Sequence, residues 1–381
     1  MPHERMMREA ERMSELRLRE DLDAIPGYTP GKAAPQAETT GPVFKVSSNE
    51  NPYPPLPSVT VAIADRLAHI NRYPETAATA LTAVLCERFG VEPVNVVLGS
   101  GSVEVVSQLM RATAGEGDEV LFAWRSFEAY PMLARAAGAV PVMVPLTDDH
   151  RHDLDAMRAA ITDRTRLILV CNPNNPTGTT IGDAELDRFL AQVPPHIVVV
   201  IDEAYVQFND RDDSPVGIEC FRRYPNVAVA HTFSKAYGLA GMRIGYAIAP
   251  EQLGIALRKV AIPFGVTDLA QTAAIASLAA EDELEARVAE LVVERERVVA
   301  AFTTAGLALP ESKGNFVWLP LGDATAAAAE LLERHGLLVR PFPGEGLRAT
   351  VAEPEANERL IALAPEIAAL VAPAEAVLAS R

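Results

Sequence analysis

Between about residues 58 and 265 the chain alternates two kinds of apolar pattern. Short apolar runs at 94–98, 119–123, 140–144, 166–171, 197–201, 227–231 and 245–249 have the length of strands. Stretches with helical spacing, such as 103–114 and 183–193, lie between several of them. Continuous apolar strands separated by helices predict a mostly parallel seven-stranded sheet, covered on both faces, in an α/β fold. Residues 268–304 then carry one long helical pattern rich in Ala, Leu, Glu and Arg, long enough to bridge two lobes. Short strands near 316–319 and 347–351, with helices between and after, predict a smaller α+β domain, and the alanine-rich stretch 356–380 is helix-prone. Upstream, residues 26–57 are rich in Pro and Gly and read as an extended arm. The expected division is an arm over 1–45, a large domain over 46–265 and a small domain over 266–381 that includes the linking helix.

Composition narrows the class. Hydrophobic residues make up 49% and charged residues 22% of the 381, an ordinary globular balance. A formal charge of -17 argues against nucleic acid or an anionic membrane as partner, although local arginines can still bind a small anion. No apolar run is long enough to span a bilayer, and residues 1–20 lack the apolar core of a secretory signal. Cys86, Cys171 and Cys220 are scattered and odd in number, as expected of reduced thiols in a cytoplasmic protein. Neither they nor the histidines have metal-ligand spacing, so no metal is expected.

The candidate chemistry collects at strand ends. Lys235 lies in HTFSKAYGLAGMRIGY, just past an apolar run, with Thr232, Ser234 and Arg243 close in sequence. Two hydroxyls and a guanidinium suit a phosphate, and an amine beside a bound phosphate suits a Schiff base with pyridoxal phosphate. GSGSVEVVSQL opens a helix near Val103, and the unpaired N–H groups at such a helix start can bind an anion. The run 166–171 enters NPNNPTG, where Asn175 is placed to donate to an oxygen anion. Asp202 follows VVVI directly, so it is expected to be partly buried and to need a cationic partner such as a protonated pyridine nitrogen, with Tyr205 nearby. WRSFEAY supplies rings at another strand's end, and Arg340 and Arg348 bracket PFPGEGL, where Arg348 alternates with apolar residues as in a strand and could take a carboxylate bidentately.

In this order and spacing the motifs NPNNPTG, DEAY and FSKAYGLAGMRIGY resemble the fold-type I pyridoxal-phosphate aminotransferases, over nearly the whole chain. Within them the chain looks like the histidinol-phosphate aminotransferase subgroup and its relatives, the actinobacterial aromatic amino acid aminotransferases. The resemblance implies that Lys235 carries the cofactor and shuttles the proton at the substrate's α-carbon. It implies that Asp202 pairs with the pyridine nitrogen, that Asn175 and Tyr205 bond the phenolic oxygen, and that Phe127 stacks on the ring, with Trp124 and Tyr130 in the supporting wall. It gives the phosphate to Thr232, Ser234, Arg243 and the backbone of Ser102 and Val103, and, across a homodimer with shared sites, to Tyr73. Tyr28 and Asn49 match arm positions lining the substrate pocket, and Arg348 matches the arginine for the substrate carboxylate or for the phosphate of histidinol phosphate. Two departures stand out: Val103 replaces the usual acidic residue, and Phe127, within FAWRSFEAYP, replaces a tyrosine as in the aromatic branch. The implied reaction is ping-pong transfer of an amino group between an aromatic amino acid and a 2-oxo acid such as 2-oxoglutarate. Histidinol-phosphate transamination is the alternative.

Overall fold

A computed structural model describes residues 42–371 together with Leu22, Ile25 and Gly27. Tyr28, most of the expected arm and the end of the alanine-rich stretch lie outside the described residues. In chain order the strands are β1 (Phe44–Lys45), β2 (Val96–Gly99), β3 (Glu119–Trp124), β4 (Val140–Pro145), β5 (Thr165–Cys171), β6 (Val198–Asp202), β7 (Val227–Thr232), β8 (Gly245–Ile248), β9 (Phe316–Leu319), β10 (Leu337–Leu338), β11 (Arg340–Phe342) and β12 (Gly346–Thr350).

Seven of them form one sheet in the order β2-β8-β7-β6-β5-β3-β4. Strands β3 to β7 pair in parallel, and β8 runs antiparallel to both β2 and β7. The unbroken apolar runs are explained by burial on both faces. Along β3, Val120 and Phe122 enter one core with Val105 and Leu109 of the helix Ser102–Thr113, while Leu121 and Ala123 enter another with Leu186 and Phe189 of the helix Asp183–Leu190. Alternate side chains of a strand point to opposite faces, so a strand buried twice has no polar positions in its centre. The polar residues therefore begin where the strands end. Cys171 and Asp202 are register partners at the ends of β5 and β6, and β7 closes with Thr232.

A second, antiparallel sheet has the order β11-β12-β9, with Arg340 opposite Arg348, and β1 pairs in parallel with β10. Its core gathers Val317, Leu319, Leu347 and Ala349 against Val298 and Phe302. The single long helix expected over 268–304 is two helices, Asp268–Ala279 and Glu281–Thr304, because Ala280 leaves the helical backbone at φ -113 and ψ 31. Glu281, Asp282 and Glu283 then occupy the first turn of the second helix, where its dipole favours negative charge. The bridging role survives the break. Leu284, Val288 and Leu291 join a core beside the large sheet, whereas Val298 and Phe302 join that of the small one. Buried Arg295 of the same helix donates to the carbonyls of Phe208 and Gly314 at 2.9 and 3.2 Å, fastening the two regions further.

Candidate active site

The polar strand ends of the large sheet face the small sheet across a cavity of about 360 Å³. It is lined by Ser102, Val103, Phe127, Asn175, Asp202, Tyr205, Thr232, Ser234, Lys235, Arg243, Asn49 and Arg348, the sequence-predicted site residues except Tyr28 and Tyr73. Tyr73 is exposed and stacks on Phe264, ring centres 4.6 Å apart, away from this cavity.

One end is built by short local turns. The helix Ser102–Thr113 points its N-terminus into the cavity, and the first N–H groups of a helix have no partner within it. Gly101 precedes it at φ +81, and a Cβ there would press into the guanidinium of Arg243. A glycine is thus required for the close approach that sets Arg243 beside the helix end. Arg243, itself at φ 55, donates from Nη1 to Ala240 O at 2.9 Å and to Ser234 Oγ at 3.4 Å. The backbone N–H of Ser234 is held by Thr232 Oγ1 at 3.1 Å. Helix N–H groups, two hydroxyls and a guanidinium converge as donors for a phosphate.

Asp202 forms the floor. Tyr130 donates its hydroxyl to Asp202 Oδ2 at 2.7 Å, and the Ala204 N–H reaches Oδ1 at 3.2 Å. Burial raises the carboxyl above its ordinary range, and these two bonds only partly oppose it. A buried carboxylate of this kind gains most from an arriving cation. Tyr130 therefore does more than line a wall. Beneath lies a second buried acid, Glu203, which burial pushes up to about 7; its Oε2 is 3.3 Å from Nε2 of His231, which burial takes down to about 3.

Lys235 stands in the middle. Its Nζ donates to Ser48 O at 3.0 Å, and burial, followed by the charge of Arg348, pulls its pKa down to about 7 against the opposing pull of Glu50. The segment 47–51 crosses the cavity as a strap. Ser47 O accepts from Arg348 Nη2 at 2.5 Å, Asn49 Nδ2 donates to the Tyr205 hydroxyl at 3.0 Å, and Asn51 Nδ2 donates to Ala236 O at 2.8 Å. Arg348 Nη1 also donates to Asn175 Oδ1, which turns the Asn175 amide N–H groups into its remaining donors. Sequence reasoning missed the strap serines Ser47 and Ser48, the acid Glu128 and the role of Arg340, which also line the cavity. Arg340 was visible as one of two arginines bracketing a turn; Glu128 carries no signal in the chain.

The donor set fits pyridoxal phosphate: anion donors at one end, a buried acid for a ring nitrogen, hydroxyl and amide donors for a phenolic oxygen, Phe127 as an apolar face and an amine whose pKa burial brings down to about 7. Among the described residues no helix is long and apolar enough to cross a membrane.

The chain is 56% identical over 351 residues to the aromatic amino acid aminotransferase of Streptomyces coelicolor, covering 92% of this chain and 97% of that one. It is 53% identical over 348 residues to the aromatic amino acid aminotransferase of Rhodococcus opacus, covering 91% and 95%. The crystal structure of histidinol-phosphate aminotransferase from Sinorhizobium meliloti in complex with pyridoxal-5'-phosphate superimposes with a TM-score of 0.80 at 31% identity, over 87% of this chain and 92% of that one. The family model for aminotransferase class I and II matches residues 41–363, and the chain belongs to that family, which implies a pyridoxal phosphate cofactor.

Proposed function

We propose that this protein moves an amino group between an aromatic L-amino acid and a 2-oxo acid, 2-oxoglutarate among them, in two half-reactions at one site. The observation that carries the reading is the placement of Lys235, Asp202 and Arg348 around a single cavity, with the amine's pKa brought down to about 7 by burial. Pyridoxal phosphate, when bound, supplies an electron sink for the pair left behind as the substrate α-carbon loses its proton. Asp202 supplies the negative charge that keeps a ring nitrogen protonated. Asn175 and Tyr205 donate to the phenolic oxygen, Ser102, Val103, Thr232, Ser234 and Arg243 hold the phosphate, and Phe127 covers the ring. Arg348 takes the substrate carboxylate and so fixes the α-carbon relative to Lys235, whose Nζ accepts the α-proton and returns it. In the same reading two chains share sites through Tyr73, Tyr28 and Asn49 line the substrate pocket, the enzyme works in the cytoplasm, and the domain boundaries fall near residues 45 and 265.

The aromatic preference is supported by relatives above half identity that bear that name. A second reading, transamination of histidinol phosphate, is supported by the structural likeness at TM-score 0.80 and by two cavity arginines, Arg340 and Arg348. Steady-state kinetics with phenylalanine and histidinol phosphate as rival donors separate the two. The aromatic reading expects phenylalanine to have the higher kcat/KM; a preference of roughly tenfold or more for the phosphate ester, about 1.4 kcal/mol in the transition state, would overturn it.

A further inference from the structure

Two ion pairs cross from the end of β3 to the β11–β12 hairpin, and they are reciprocal. The segment that follows β3 contributes Arg125 and Glu128; the hairpin contributes Glu345 and Arg340. Arg125 pairs with Glu345 through both Nε and Nη2, at 3.0 Å from Nε. Arg340 donates from Nε and Nη2 to the one oxygen Oε2 of Glu128, at 3.0 and 2.8 Å. The second pair is the more buried, and both its members line the cavity, whereas neither Arg125 nor Glu345 does. The rings around it fix its arms: Arg125 lies over Trp124 at 4.4 Å and over Phe342 at 5.4 Å, and Arg340 lies over Phe342 at 5.9 Å.

Arg340 and Arg348 are direct register partners on neighbouring antiparallel strands. Side chains so paired lie on the same face of a sheet. The two guanidiniums therefore belong to the same end of the cavity, where the substrate's anionic head group is received. Arg340 is held by the Glu128 carboxylate through Nε and Nη2, so its charge and two of its donors are already engaged. A carboxylate brings one negative charge; a phosphate monoester brings nearly two and a third acceptor oxygen.

We infer that Glu128 is a specificity-determining residue: by holding Arg340 it matches the head-group end of the cavity to a carboxylate and against a phosphate monoester. This rests on the proposed placement of the substrate carboxylate at Arg348. A distal carboxylate, such as that of 2-oxoglutarate, lies at the other end of the substrate and is not touched by the Glu128–Arg340 pair.

Two unreactive probes of one skeleton test it on the cofactor-loaded protein: 3-phenylpropionate and 2-phenylethyl phosphate, which lack an amine. Calorimetric titration at about pH 8 gives a dissociation constant for each. Glu128→Gln keeps the shape and removes the charge, and the ratio of phosphate to carboxylate affinity is expected to rise roughly tenfold or more, about 1.4 kcal/mol of relative binding. Adding Arg340→Gln is expected to abolish that rise, because the two residues act as one unit. A ratio that Glu128→Gln leaves unchanged or lowers overturns the inference, as does a rise that persists without Arg340. The outcome is separable from the aromatic reading. A wild-type enzyme that prefers histidinol phosphate as donor sinks that reading, yet the shift with Glu128→Gln still reports on the hold of Glu128 over Arg340.

Discussion

The two ends of the cavity are assembled in opposite ways. The proposed phosphate end is local: Thr232, Ser234, Lys235 and Arg243 come from the last residue of β7 and the short segment that follows it, joined by the helix end at Ser102. The head-group end is gathered from the whole chain: Arg348 meets Ser47 across 301 positions and Asn175 across 173, and Arg340 meets Glu128 across 212. A local end is fixed by turn chemistry and survives changes elsewhere. A gathered end depends on how the small sheet packs on the large one, and it is there that substrate choice can vary without disturbing the chemistry.

Substitutions sharpen that contrast. Lys235→Ala is expected to have the largest effect, lowering kcat by about 10⁴-fold or more, since both the covalent anchor and the proton carrier are lost. Arg348→Leu follows, with kcat/KM for phenylalanine down by roughly 10²–10³-fold from the loss of two charge-assisted bonds to a carboxylate. Retention of wild-type kcat/KM by Arg348→Leu would place the head group elsewhere. Gly101→Ala attacks the local end. Strain at φ +81 and the contact with Arg243 are expected to cost about 1–2 kcal/mol in chemical denaturation and to weaken cofactor retention on dialysis. Tyr130→Phe is gentler: the carboxyl of Asp202 loses its best donor and rises further, and about a tenfold fall in kcat is expected.

Lys235 also gives the cofactor-free protein a pH signature. Its folded pKa of about 7 lies below the unfolded value of 10.5, so between these two the unfolded chain binds more protons. Stability from this group therefore rises as pH rises through that window and is lost as pH falls through it. The wild type is expected to gain on a Lys235→Met variant in thermal midpoint as pH increases over that range. Parallel midpoints would mean that the amine is not held in its neutral form.

The local end is also the end that the sequence makes legible. Strands buried on both faces admit no polar residue until they finish, so Thr232, Ser234 and Lys235 stand out against the apolar run of β7, as Asp202 does against that of β6. The gathered end hides for the same reason in reverse. Strand β11 is only Arg340, Pro341 and Phe342, too short and too mixed to show a period. Glu128 sits in an aromatic segment with no spacing that ties it to residue 340, and a contact across 212 positions has no local trace. The break at Ala280 is equally silent, because alanine favours a helix and only packing between two cores demands the turn.

The central claim is that Lys235 and its cavity perform transamination on an aromatic amino acid. A single-turnover assay tests it most directly: cofactor-loaded protein is mixed with phenylalanine and no 2-oxo acid, while the cofactor's visible absorbance and the released keto acid are followed together. The expected result is loss of the original band with one phenylpyruvate formed per site, reversed by 2-oxoglutarate, and none of this in Lys235→Ala. An unchanged band with no phenylpyruvate, or the same turnover in Lys235→Ala, would contradict it.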